Sequence, residues 1–161
     1  MNYEALLTKA DFHGLVVKEK DLLAYDGRIK GNRIAIRKTI DTQAEKSCVL
    51  SEELGHYYTS SGNILDQTDI MNQKQEYRAR LYGYNLRIGL MGIIQAFKAD
   101  CRNLYEMAEY LEVTEEYLKE AIECYRSKYG EYVKIDNYMI YFIPDLAVLR
   151  INNESSRGIK T

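Results

Sequence analysis

The spacing of apolar positions predicts a helix and then short strands in the N-terminal quarter of the chain. Apolar side chains recur at helical intervals near the start, at Tyr3, Leu6, Leu7 and Ala10. Three short apolar runs follow, at Val16–Val17, Leu22–Tyr25 and Arg33–Ile36. The dipeptides between them, Asp26-Gly27 and Gly31-Asn32, are typical of turns, so the runs are predicted to be strands.

After residue 40, apolar residues recur at the three- to four-residue interval of a helix. Asp41 or Thr42 can cap a helix there, with Glu45 available for a capping box. This helix is predicted to run to about Ser60, before a polar loop over residues 62–72. One long helix is predicted over residues 73–99, although that segment contains three glycines.

The C-terminal third predicts two amphipathic helices and a hairpin. The helices, within residues 103–130, are joined at Glu112–Thr114. The strands that follow turn at Asp136-Asn137 and stop at Pro144. Strands first and helices later predict an α+β fold. We divide the chain into a main region (1–100), a helical pair and hairpin packed on it (101–151) and a polar tail (152–161).

Composition narrows the class of protein but names no partner. A chain of 161 residues suits one domain, or one domain with a small appendage, and its net charge is −2. No apolar run reaches membrane-spanning length, and the N-terminus lacks a signal sequence. Three scattered cysteines suggest reduced thiols, so a cytoplasmic protein without membrane partners is predicted. With two histidines in the chain, no site can use three.

The segment SEELGHYYTS resembles the zincin pattern H-E-x-x-H, with a glutamate in the first position. Glu52 and His56 are four residues apart, so their side chains lie one above the other on a helix. The opposite face is the expected core face, carrying Leu50, Leu54 and Tyr57. By base rate, Glu52 and His56 would be a solvated pair on the surface.

A metal site is the alternative interpretation of the same residues. His56 can supply an imidazole and Glu52 a carboxylate oxygen, while Glu53 can take a proton from a water that attacks a carbonyl. Glu76 is a candidate third ligand, because residues 62–72 are long enough to turn the chain back. Taken alone, Glu76 is better explained as a solvated helix glutamate. Cys48 is too far from His56 to share a metal and is predicted to pack as a small apolar residue.

Together, CVLSEELGHYYTSSGNI and KQEYRARLYG resemble the ImmA/IrrE family of metallopeptidases over most of residues 10–100. The resemblance implies a zincin-like minimal metallopeptidase domain, with His56 and Glu76 as metal ligands and Glu53 as general base. Glu52 stands where that family usually has its first histidine ligand. A Glu/His/Glu set is expected to hold zinc, and to accept manganese or another divalent metal more readily than His/His/Glu.

The same resemblance implies a biological role. Such proteins from phages and mobile elements act on a helix-turn-helix transcriptional repressor and so switch gene expression. Two interpretations follow for this chain: a metal-dependent endopeptidase that cleaves the repressor, or a non-catalytic anti-repressor that binds it through a degenerate site.

The two C-terminal helices have a helix-turn-helix rhythm, but their charge argues against DNA. Residues 103–126 contain seven glutamates and two basic residues, a local charge of −5. That charge repels the phosphate backbone whose neutralisation drives DNA binding. No direct, specific DNA binding is therefore expected.

Overall fold

The computed structural model describes residues 1–60 and 69–151, and within them it confirms a mixed α+β fold. The helices are α1 (Tyr3–Phe12), α2 (Gln43–Thr59), α3 (Asp69–Arg87), α4 (Gly89–Lys98), α5 (Leu104–Leu111) and α6 (Glu115–Tyr129). The strands are β1 (Val16–Lys20), β2 (Gly27–Lys30), β3 (Arg33–Arg37), β4 (Tyr132–Ile135), β5 (Tyr138–Tyr141) and β6 (Ala147–Arg150). The strands form two separate three-stranded sheets.

The N-terminal sheet has the strand order β1-β3-β2, so β2 lies at an edge. β1 runs parallel to β3, and β2 runs antiparallel to it. The predicted strand at Leu22–Tyr25 is wrong, since the second strand is Gly27–Lys30 and Leu23 is 98% exposed. Asp26-Gly27 is not the turn either, because Gly27 already pairs with Ile36 in the ladder. The two-residue turn Gly31-Asn32 joins β2 to β3. It sets the register of the hairpin, so the residues immediately before the turn, Gly27–Lys30, pair with β3.

Helices α1 and α2 cover one face of this sheet and form the first core. Its fully buried members include Leu6, Ile36, Leu50 and Leu54. A polar cluster at the edge of this core ties three elements together, because Tyr3 Oη of α1 and Lys46 Nζ of α2 both donate to the Glu19 carboxylate of β1.

Helices α2 and α3 make the most extensive helix–helix contact in the described part of the chain. The backbones approach closely because glycines lie at the contact. A Cβ on Gly55 would overlap the carbonyl oxygen of Ala79, and one on Gly83 would lie 2.9 Å from that of Ser51. The small residues Ala79 and Gly83, one and two turns after Glu76, thus form the contact surface of α3.

The single long helix predicted over 73–99 is wrong, because the chain bends between α3 and α4. Gly89 adopts a positive φ of 64°, which a glycine tolerates without strain. Its N–H donates to Tyr125 Oη at 3.2 Å, so the bend is held by α6. The apolar period continues across the bend, which is why the sequence pattern alone does not reveal it.

The second core lies between α4, α5, α6 and the C-terminal sheet, whose strand order is β4-β5-β6. Thr114 caps α6, and Arg87 Nη2 donates to the carbonyls of Leu111 and Glu112 at the α5–α6 corner. The hairpin around residues 136–137 is confirmed, whereas the prediction missed β6. This core draws on residues from both sides of position 100, and the division there stays a prediction.

Parts of the predicted loop (62–72) and the polar tail (152–161) lie outside the described residues, which resume at 69, already in α3, and end at 151. Across the described ranges, no helix combines the length and the apolar character needed to cross a membrane.

Candidate functional site

Helix α2 carries the candidate residues Glu52, Glu53 and His56. Its N-terminus is fixed by a capping residue, and its buried stripe fixes which side chains face the core. Thr42 is the N-cap, with its side chain accepting a hydrogen bond from the N–H of Glu45 at 3.1 Å. The buried stripe consists of small and aliphatic residues, namely Ser47, Cys48, Leu50, Ser51, Leu54 and Gly55. Glu52, Glu53 and His56 are half-buried beside this stripe.

Tyr57 was predicted to share the core face, and this is wrong, because it is 38% exposed. The reason is the contact with α3, which buries Ser51 and Gly55 and so rotates the buried stripe of α2 away from Tyr57. The same rotation leaves His56 beside α3 rather than in open solvent.

The structure brings His56 and Glu76 together across the α2–α3 contact. His56 Nε2 lies 3.6 Å from Glu76 Oε2. This separation is too long for a good hydrogen bond. It is close to the distance between two ligands of one tetrahedral zinc, which is roughly 3.3 Å for bonds of about 2.0–2.1 Å. The other Glu76 oxygen, Oε1, accepts a hydrogen bond from Arg80 Nε at 2.9 Å.

The carboxyl groups of Glu52 and Glu53 are partly buried and lie near other carboxylates, which disfavours their charged forms. Burial raises the pKa of Glu52, and Arg80 partly opposes this effect while Glu76 adds to it. Burial raises the pKa of Glu53 to about 7, with the charges of Glu52 and Glu76 contributing in the same direction. Glu53 is therefore affected by the charges of Glu52 and Glu76, and Glu52 by that of Glu76, a repulsion that a divalent cation would relieve.

Glu53 also lies against the edge strand β2. A Cβ on Gly27 would come within 2.7 Å of Glu53 Oε1 and 2.6 Å of Val49 Cγ1. Only a glycine lets β2 pass this close to α2. The carboxylate of Glu53 therefore faces a strand whose other edge carries no strand in the described part of the chain.

His56 and Glu76 suit a divalent metal in their chemistry and in their approach to each other. The donors are an imidazole nitrogen and carboxylate oxygens, and Glu76 Oε2 faces His56 while its partner oxygen is held by Arg80. Glu52 is the remaining donor, close enough for the charge of Glu76 to affect its pKa. As placed, the described side chains form no group of three or more His, Cys, Asp or Glu residues that could hold a metal ion. The ligand roles of Glu52, His56 and Glu76 stay predictions.

Two residues at the site were not predicted from the sequence. Arg80 had a visible signal, since it lies four residues after Glu76 and can pair with it on a helix. Gly27 had none, because its proximity to Glu53 arises from contacts between distant parts of the chain. Cys48 packs as predicted: it is buried, and burial raises the pKa of its thiol.

No protein-family model matches this sequence, and no curated protein matches it either.

Proposed function

We propose that this protein is a metal-dependent endopeptidase of the ImmA/IrrE type, with a zincin-like domain, that acts on a helix-turn-helix transcriptional repressor. The observation that carries the proposal is the approach of His56 Nε2 to Glu76 Oε2, at 3.6 Å, between two closely packed helices. The resemblance of the two motif segments to that family supports the same conclusion.

Each residue has a distinct role in this proposal. His56, Glu76 and Glu52 would hold a divalent metal, zinc or manganese, which when bound supplies Lewis acidity toward a peptide carbonyl. Glu53 accepts a proton from the attacking water and later returns one to the leaving amine. Its pKa, raised to about 7 chiefly by burial, is close to the value at which a general base works best at neutral pH.

The edge strand β2 is a suitable place for substrate backbone. An extended peptide can add to a free sheet edge through main-chain hydrogen bonds, whatever its side chains. Because Gly27 of β2 lies against Glu53, a peptide paired with this edge would pass close to the general base. This arrangement suits a substrate segment that is extended and locally unfolded.

Replacing Glu53 by Gln tests the proposal. The repressor encoded nearest to the gene of this protein is co-expressed with it, and cleavage is followed by mass spectrometry. Glu53→Gln is expected to bind metal as the wild type does and to reduce cleavage by roughly 10²–10⁴-fold. Glu45→Gln, the same change two turns earlier on α2, is the control and should cleave normally. Equal cleavage by Glu53→Gln and wild type would refute the role of Glu53.

The second candidate function is a non-catalytic anti-repressor with a degenerate site. The observation that favours it is the Arg80–Glu76 ion pair at 2.9 Å, in which an arginine already neutralises the third ligand. In this case Glu52→Ala, Glu53→Gln and His56→Ala would all leave anti-repressor activity in cells unchanged. Loss of that activity in all three variants would instead support the peptidase.

A further inference from the structure

The outward face of the N-terminal sheet carries charge of a single sign. Residues alternate between the two faces of a strand, and Ile34 and Ile36 of β3 are buried toward α2. By strand alternation and register, the opposite face carries Val16, Lys18, Lys20, Arg28, Lys30, Arg33, Ala35 and Arg37. None of these eight residues is acidic.

These residues border a groove of about 510 Å³, which we call the basic groove and define by Val16, Lys18, Lys20, Leu22, Arg28, Lys30, Arg33, Ile34 and Ala35. Its five basic side chains are exposed. Within residues 1–60 and 69–151, none of the five takes part in an ion pair, whereas neighbouring Arg37 is paired with Asp26. The groove therefore offers uncompensated positive charge beside apolar surface.

This arrangement has a cost for the sheet itself. The register places Lys30 of β2 directly opposite Arg33 of β3. Like charges on directly opposed residues destabilise a sheet, and a single acidic residue at either position would remove the repulsion. An anionic ligand bound between Lys30 and Arg33 would offset this repulsion, which solvation alone leaves in place.

We propose that the basic groove binds an extended segment of a partner protein in which every second residue is acidic. Lys18 and Lys20 on β1, and Arg28 and Lys30 on β2, are spaced two residues apart, about 7 Å along each strand. The side chains on one face of an extended peptide repeat at the same interval of about 7 Å. Acidic side chains at that interval would face the sheet and meet the cations, while the residues between them would point away from it.

Nucleic acid fits this surface less well than an acidic peptide does. Proteins that bind single strands stack bases on aromatic side chains, and the lining of the basic groove contains none. An acidic peptide needs only the charges that the groove has.

The basic groove and the candidate site share strand β2. Gly27 faces Glu53, and the next residue, Arg28, points to the opposite face and lines the groove. A partner held in the groove would therefore have its adjoining chain near the free edge of β2. This delivery step rests on the proposed function, whereas the binding of an acidic segment does not.

Fluorescence anisotropy with the full-length protein tests the groove. The probe is a fluorescein-labelled twelve-residue peptide in which glutamate alternates with valine and serine. The comparison probes are the same peptide with lysine for glutamate, and a labelled oligo(dT) of twelve nucleotides. The glutamate peptide is expected to bind, to bind at least about tenfold more weakly when salt rises from about 50 to 300 mM, and to bind more tightly than either comparison probe.

Lys30→Glu should weaken peptide binding about five- to tenfold while keeping or raising the thermal midpoint, because it places an acid opposite Arg33. Lys134→Glu, the same change on exposed β4, is the matched control and should change binding less than twofold. Lys18→Gln, which adds no negative charge, should weaken binding about threefold. Equal binding by Lys30→Glu and Lys134→Glu, no binding of the peptide, or tighter binding of oligo(dT) would overturn the proposal.

The two proposals can fail separately. Peptide binding is measured without cleavage, so an inactive site leaves the result for the groove intact. If the repressor is cleaved and Lys30→Glu does not raise the KM for it, the groove does not deliver the substrate, although the peptidase proposal stands.

Discussion

At the scale of single residues, the consequence of Glu52 is an excess of negative charge beside one imidazole. Burial raises the pKa of Glu52 and of Glu53, the charge of Glu76 adds to both shifts, and Arg80 is the cation that opposes the shift at Glu52. With histidine in place of Glu52, the site would carry one charge less and one more ligand of the kind zinc prefers.

Glu52→His is therefore expected to raise zinc affinity by about tenfold, because imidazole suits zinc and the repulsion among carboxylates decreases. A competition titration against a chromophoric zinc chelator measures this change. Glu45→His, an exposed position at the start of α2, is the control and should leave the affinity unchanged. Equal zinc affinities for Glu52→His and wild type would remove Glu52 from the ligand set.

Tyr3 gives a pH-dependent prediction away from the site. Burial, followed by the nearby Glu19 charge, raises the pKa of Tyr3 to about 12, so the folded protein favours the neutral phenol. A group whose pKa is raised on folding contributes stability below its unfolded pKa of about 10 and loses it as pH rises toward 12. Tyr3→Phe lacks both the hydrogen bond to Glu19 and this titration.

Wild type should therefore be more stable than Tyr3→Phe by about 0.5–1.5 kcal/mol at neutral pH, and the difference should shrink between pH 10 and 12. Urea unfolding of both proteins at several pH values measures it, and the other tyrosines cancel in the comparison. A difference that stays constant over this range would show that Tyr3 does not titrate as stated.

At the scale of elements, the candidate site depends on how closely α2 and α3 approach. His56 and Glu76 meet because the backbones touch at Gly55 and Gly83, where any side chain would strike a carbonyl oxygen. The separation of the helices is thus set by residues that have no chemical role themselves.

Gly55→Ala is expected to destabilise the protein by about 1–3 kcal/mol and to weaken metal binding, because the new Cβ forces α2 and α3 apart. Thermal unfolding and a zinc titration measure the two effects. Gly92→Ala is the matched control, since Gly92 is also helical and its nearest obstacle, Leu111 Cδ2 at 3.3 Å, is a side chain that can move. An alanine there should be neutral or slightly stabilising. Comparable losses in both variants would show that the α2–α3 contact has no special role.

The elements that were predicted correctly are those with local signals. The Thr42 cap, the junction between α5 and α6 and the hairpin at residues 136–137 each depend on a few adjacent residues. The strand at Leu22–Tyr25 was wrong because apolar character does not say which residues find a partner strand. The break at Gly89 was missed because it is held by a hydrogen bond that the Gly89 N–H donates to Tyr125, a residue distant in sequence.

For the site, the i,i+4 pair of Glu52 and His56 follows from helical spacing. Glu76 was a candidate only from the length of the intervening loop and from the family resemblance, and its approach to His56 depends on the α2–α3 contact. The contact of Gly27 with Glu53 could not be predicted, because it depends on how a sheet edge packs against a helix. The basic groove could be predicted only in part. Its basic residues are visible in the sequence, but the register of the three strands is needed to show that they share one face.

At the scale of the whole molecule, charge is separated although the total is only −2. Among the described residues, the five cations of the basic groove on the outward face of the N-terminal sheet take part in no ion pair, and the C-terminal helices carry most of the glutamates of residues 103–126 on their exposed positions. Such a charge distribution steers association with a charged partner, and the association rate should fall as ionic strength rises.

The final prediction concerns duplex DNA, because α5 and α6 have the helix-turn-helix rhythm without its charge. The start of α6 carries Glu115 and Glu116, and its Lys119 is already bonded to Glu115 at 2.7 Å. Neutralising phosphates requires free cations at that position, so the wild type should show weak or no binding to an operator duplex at about 150 mM salt.

Anisotropy titrations with the operator of the neighbouring repressor and with a scrambled duplex provide the measurement. Glu115→Lys combined with Glu116→Lys should increase binding to both duplexes alike, because the added charge contacts phosphates and reads no bases. Tight binding by the wild type that prefers the operator, and that changes at Glu115, Glu116 or Lys119 abolish, would contradict this prediction. It would also mean that α6 recognises DNA directly, so that the protein regulates transcription without a repressor as its intermediary.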